Sequence, residues 1–303
     1  MKATKFIPEK DDKRIVHIYE SIGDMIAHAD KHRDKGDAAS GRPETGNTPW
    51  SGVKSWQEAM GLAADGWHDT RPAVDAVLNP LRESLAEKLS LVSERAHDIC
   101  GYEPDIDRFI AGELECMYDD TFTMAPKEGK VYTLLVSGAV NSDVSPETLM
   151  KRGVAIVALV EAFQMVGSEV EIWVEDSFTP NNSQRVEGRS FSTLCRIHRA
   201  GDVLDVDGIM FPLAHPAWFR RFVFAECETV GQGVREEFGF HLGGGYGRAA
   251  DLRVSDIVEP TFTLTKGGES RHTRKMDSDP LGFILDTLRD QGAFDDKADH
   301  WGN

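Results

Sequence analysis

Residues 137–145 read Ser-Gly-Ala-Val-Asn-Ser-Asp-Val-Ser and crowd oxygen donors into one short stretch. Asn141, Asp143 and Ser145 offer amide, carboxylate and hydroxyl oxygens, the donor types that a hard cation such as Mg²⁺ takes. The plainer assignment, and the favoured one, is that these side chains make a turn and cap a helix, since Asn, Asp and Ser bond nearby backbone N–H groups. With Ser137 and Ser142 they form the first candidate binding surface. A bound cation would open a second chemistry, metal-assisted work on phosphoesters or nucleotides, with Asp143, Asn141 and either Asp176 or Asp205 as ligands.

Tyr246, Arg248 and Arg253 make the second candidate surface. An aromatic face and two cations in a glycine-rich stretch, residues 239–247 and beyond, suit the stacked bases and backbone of a nucleic-acid single strand. A glycine hinge explains the same residues equally well. Gly245-Tyr246-Gly247-Arg248-Ala249-Ala250 also fits a loose G-x-G-x-x-A pattern, but it does not follow the first strand of a β-α-β unit as a dinucleotide fingerprint must. Cys195, His198, His215 and Cys227 are zinc-type donors. Cys195 and His198, three apart on a predicted strand, fall on opposite faces, so the four cysteines (with Cys100 and Cys116) read as small buried hydrophobes. Neither G-x-S-x-G nor H-E-x-x-H occurs, which turns the reading away from a hydrolase.

The 137–145 loop is positioned by the patterns that flank it. Val131-Tyr132-Thr133-Leu134-Leu135-Val136 is an uninterrupted apolar run, as in a strand buried on both faces. Ser145-Pro146-Glu147 starts a helix with a serine cap, a proline in the first turn and an early carboxylate. That helix is apolar nearly all round, burying Ile156, Val157 and Val160, and stops at Gly167. A second strand, Val170-Glu171-Ile172-Trp173-Val174, completes a β-α-β unit with a parallel pair and a right-handed crossover.

Around this unit the sequence predicts an element at residues 14–19, an exposed polar segment over 30–50, and a capping box at Ser55-Trp56-Gln57-Glu58 that opens a helix stopped by Gly66. Apolar spacing from Val74 to Ile99 predicts one long helix from Pro72. A short helix over 105–111 carries Ile106, Phe109 and Ile110 on one side. Further elements are a strand over 190–198, a helix over 203–211 interrupted by Pro212, an aromatic helix from Pro216, a strand over 261–265 and a helix over 280–290. The domain division is an N-terminal element and loop (1–50), a helical domain (51–125), an α/β domain (126–293) and a frayed tail (294–303).

Of 303 residues, 51 are Asp or Glu and 34 are Lys or Arg, a net charge of −17. That field repels phosphate and disfavours unspecific nucleic-acid binding. No apolar run is long enough to span a bilayer and the N-terminus lacks the apolar core of a secretory signal, so no membrane partner and a cytoplasmic location are expected.

The strand, the polar loop, a helix containing Arg152-Gly153 and Ala158-Leu159, and the strand after Gly167 together resemble the von Willebrand factor A-like (Rossmannoid) domain over about residues 130–293. The resemblance implies a mostly parallel three-layer α/β sheet, here preceded by a small helical domain. It also implies a metal-ion-dependent adhesion motif, Asp-x-Ser-x-Ser, in the loop after the first strand. Ser137 stands where that aspartate belongs and the spacing is absent, so the motif is degenerate and no cofactor is expected, Mg²⁺ being the one ion with candidate ligands. Trp50-Ser51-Gly52, Ser55-Trp56-Gln57-Glu58-Ala59, Gly66-Trp67, residues 105–109 (Asp-Ile-Asp-Arg-Phe), residues 112–117 (Gly-Glu-Leu-Glu-Cys-Met), Arg152-Gly153 and residues 170–173 resemble an uncharacterised family of phage and prophage proteins. Membership would place the protein in the host cytoplasm, in phage takeover of transcription or replication.

The expectation is thus a non-enzymatic interaction protein that presents a loop edge to a protein partner. Trp50, Trp56 and Trp67 either extend that face or, the preferred assignment, pack between domains. The alternatives are a single-stranded nucleic-acid binder and a Mg²⁺-dependent enzyme.

Overall fold

The structure, a computed structural model, describes residues 14–32, 51–88, 92–123, 130–139, 145–165, 167–180, 188–241 and 245–264, with isolated positions between 278 and 290. The predicted polar segment beyond residue 32, the helix over 280–290 and the tail lie wholly or mostly outside the described residues.

The central β-α-β unit forms as its sequence dictates. Strand β5 (Val131–Ser137) pairs in parallel with β6 (Glu169–Thr179), from Val131 opposite Glu169 to Ser137 opposite Glu175. The crossover helix α5 (Pro146–Met165) buries Ile156, Val157 and Val160 completely. Its start is capped, the Thr148 N–H donating to Ser145 Oγ at 3.1 Å, and Gly167 takes the left-handed φ of 76° that lets the chain turn back.

On one side of this unit β9 (Phe262–Leu264) adds to β5 in parallel. On the other, β7 (Ser190–His198) runs antiparallel to β6, and β1 (Arg14–Tyr19) joins β7 in parallel. The order is β1-β7-β6-β5-β9, with the two-residue β8 (Arg248–Ala249) paired to the end of β6. This is an α/β fold on a mostly parallel sheet.

One face of the sheet meets a single large core. Val174, Phe178, Phe191 and Cys195 of the strands share it with Met25 of α1 (Ile22–His32), Trp56 of α2 (Trp56–Asp65), Val74 of α3 (Arg71–Lys88) and Phe211 of α6 (Val206–Ala214). Phe222 of the π-helical turn (Trp218–Val223), Cys227 of α7 (Phe224–Thr229) and Phe238 of α8 (Gln232–Phe238) complete it. Among the described residues the other face, Val16, Leu135, Trp173 and Leu194, meets only Val254 with Leu252, Ile257 and Val258, in and beside α9 (Ser255–Val258). The apolar residues of this face are buried, Leu135 and Leu194 completely, and among the described residues α9 and its flanks are what cover them.

Other expectations change in detail. The long helix from Pro72 ends at Lys88, and Val92–Asp98 is instead strand β2, antiparallel to β4 (Met117–Thr123). Val92 and Ala96 continue the helical spacing of α3 by coincidence, and ladder pairing overrides it. With β3 (Glu103–Pro104) they make a separate three-stranded sheet, so the 51–125 region is not purely helical. Helix α6 starts after its cap Asp205 and carries Pro212 inside it. The capping box at Ser55 forms in shifted register, Ser55 Oγ accepting from the Glu58 N–H at 3.1 Å while Glu58 reaches the Lys54 N–H at 2.6 Å.

Candidate functional site

Where the carboxyl end of β6 pairs with the amino end of β7, the sheet carries an unusual run of buried polar side chains. Glu175, Asp176, Ser177, Ser192 and Thr193 are all no more than 1% exposed. Alternation sends neighbours to opposite faces. On the outer face Glu175 accepts from Ser177 and Ser192 and from the Arg253 and Val254 N–H groups, at 2.7 Å for Arg253. Burial raises the Glu175 carboxyl above its ordinary range, these bonds opposing. Its work is to tie the 250–254 segment to the sheet.

On the inner face Asp176 lies beside Gly138, where an added Cβ would stand 2.5 Å from Asp176 Oδ1. Trp218 Nε1 donates to Oδ2 at 3.4 Å. Burial pushes this carboxyl up to about 7, against the Trp218 bond and the Arg152 charge. Asp176 Oδ1 and the hydroxyls of Ser137 and Thr193 are buried without a hydrogen-bond partner among the described residues.

Most predicted site residues are not brought together into a surface. Asn141, Ser142 and Asp143 lie outside the described residues. Ser137 is buried, and Ser145 caps α5. Asp205 caps α6, accepting from the Gly208 N–H at 3.0 Å. Tyr246 is 5% exposed; its ring stacks on Phe224 at 4.0 Å and its hydroxyl donates to Glu228, so no base can reach its face. Arg248 and Arg253 are exposed. The loose glycine fingerprint enters β8 and an irregular segment, not a helix. Cys195 and Cys227 are buried thiols raised well above their usual range by burial, while Cys100 is exposed, contrary to expectation. Trp56 is buried, packs on Phe222 and donates to Asp30 at 2.9 Å, while the half-buried Trp67 packs edge-on against His215; Trp50 lies outside the described residues. No group of His, Cys, Asp and Glu among the described residues is arranged to hold a metal ion, and no helix among them is long and apolar enough to cross a membrane.

Two features escaped the sequence reading. The first is a buried polar knot: Glu226 of α7 accepts from Tyr19 at 2.5 Å and lies 2.8 Å from His28 Nδ1 and 3.4 Å from His17 Nδ1. Burial pushes the Glu226 carboxyl up, but the two histidines outweigh it and hold it below its ordinary value. The knot joins β1, α1 and α7.

The second is a surface. In the small sheet, Gly101 passes so near Tyr118 that a Cβ would lie 2.1 Å from its carbonyl oxygen, and the Tyr102 N–H donates to that carbonyl at 2.9 Å. Asp105 then organises the module. It caps α4 (Ile106–Ile110) and accepts from Tyr118 Oη at 2.9 Å, with His97 Nε2 also at 2.9 Å. These hydrogen bonds, Tyr118 first, hold its carboxyl down at about 2. Gly112, at φ 76°, ends the helical turn. What the scaffold displays is apolar: Ile99 is 64% exposed, Tyr102 55%, Ile106 59%, Phe109 66%, Ile110 77% and Leu114 81%. Outside this module only Val131 and Val203 are comparably exposed large apolar residues among those described. The sequence signal was the Ile106, Phe109, Ile110 spacing, which normally marks a stripe turned to a core.

No curated protein and no solved structure matches this chain. A family model described as a domain of unknown function (DUF7192) matches residues 3–292. Since that match runs through nearly the whole sequence, the chain belongs to the DUF7192 family.

Proposed function

We propose that this protein acts by binding another protein, not by catalysis, and that it does so through the small-sheet module, with residues 99–114 as the contact surface. The observation that carries the proposal is the exposure of six large apolar side chains on one short module. Water-exposed apolar groups gathered in this way are unfavourable unless a partner covers them. The module supports the reading further because its polar framework, Asp105 with His97 and Tyr118, is satisfied within itself. The apolar residues are thus held outward by a formed scaffold.

This reading moves the binding surface away from the 137–145 loop, where Ser137 is buried and Ser145 is occupied as a cap. The α/β body is read as von Willebrand factor A-like, supported by the parallel β5–α5–β6 unit with its polar carboxyl edge. A phage-encoded protein working in a host cytoplasm is the setting suggested by the sequence patterns around Trp56, Trp67 and residues 105–117.

The experiment is affinity capture from cells that encode the protein, comparing the wild type with Ile106→Ser/Phe109→Ser/Ile110→Ser. A protein retained by the wild type and lost from the variant supports the proposal. Identical capture by both contradicts it.

A further inference from the structure

We infer that the partner segment covering residues 99–114 is basic and amphipathic; the inference rests on the reading of that surface as the binding site. Residues 92–123 contain nine acidic side chains and two arginines, a net charge of −7 in a chain of −17. Asp98, Glu103, Asp107, Glu113 and Glu115 are exposed on the module that displays the apolar residues. One of its arginines is already engaged, Arg108 reaching Glu113 at 3.4 Å and the Glu115 carbonyl at 3.2 Å. An apolar centre with an acidic rim fits a segment with apolar residues on one side and Lys or Arg around them, which steers encounter and penalises wrong partners.

The same charges argue against other occupants. A second copy would set two modules of −7 face to face, and like-charge juxtaposition across an interface is costly. Nucleic acid and anionic lipid are repelled for the same reason. A helix is the natural form for the segment, because the Ile106, Phe109 and Ile110 ridge is itself a helical stripe into which side chains at helical spacing can pack.

The test uses the full chain and two labelled helical model peptides, one of leucine and lysine and one of leucine and glutamate, in fluorescence titrations at low and high salt. The leucine–lysine peptide is expected to bind, more weakly at high salt, and the leucine–glutamate peptide not to bind. Phe109→Ser/Ile110→Ser should weaken binding about tenfold or more while leaving all charges in place. Glu103→Gln/Asp107→Asn/Glu115→Gln should weaken it too and flatten its salt dependence. Circular dichroism checks that both variants fold.

Equal binding of the two peptides, or no effect of the charge variant, overturns the inference while leaving the apolar surface in place. A wild-type dimer that dissociates in Phe109→Ser/Ile110→Ser overturns it in favour of a second copy. If the serine variant changes neither peptide binding nor self-association, the reading of the surface falls with it.

Discussion

At the scale of single residues, the buried titratable groups make the sharpest predictions. Folded Asp176 keeps its proton up to about pH 7, whereas an unfolded aspartic acid releases it near pH 4. The native state therefore binds more protons across that window, and stability falls as pH rises through it. Asp176→Asn should flatten this slope and, at pH 8, raise the unfolding free energy by on the order of 2 kcal/mol. Denaturant titrations at pH 5 and pH 8 measure it; a loss of stability at pH 8 would mean that the carboxylate is held charged. His215 has the opposite sign. Burial holds its imidazole down at about 4, and neutral Nδ1 accepts the Ala217 N–H at 3.0 Å. Stability should then decline as pH falls from 6.5 towards 4. His215→Asn, which can retain an acceptor, should cost roughly 1 kcal/mol at pH 7 yet remove part of that decline. A melting-temperature series against pH shows whether the slope changes. Neither shift was legible in the sequence, because each depends on what the fold packs around the group.

At the scale of elements, helix crossing and capping decide. Gly153 on α5 faces Ala214 of α6 so closely that an added Cβ would be 2.7 Å from the alanine Cβ. Gly153→Val should force the two helices apart and destabilise by about 1–3 kcal/mol. Ser55→Ala should cost about 1 kcal/mol through the lost cap on α2. Thermal or chemical unfolding of both variants checks these values, and a neutral Gly153→Val would refute the close crossing. The β5–α5–β6 unit was readable because apolar run, serine cap and glycine stop all point the same way. Strand β2 was not, since its Val92 and Ala96 extend a helical spacing and its pairing with β4 is a contact no local pattern encodes. Helix α4 was found correctly, but its apolar side reads as core in sequence; only the fold reveals that nothing among the described residues packs over it.

In the molecule as a whole, a mostly parallel α/β body carries a small acidic sheet that displays an apolar surface. Net charge was legible from composition and already weighed against nucleic acid. The location of the surface was not, because exposure is a property of the assembled chain. The most direct measurement is hydrogen–deuterium exchange of the full chain with and without the leucine–lysine peptide. Slowed exchange is expected, centred on residues 99–114 and absent in Phe109→Ser/Ile110→Ser. Protection confined to residues 137–145, or to the outer sheet face around Trp173 and Leu194, would contradict it.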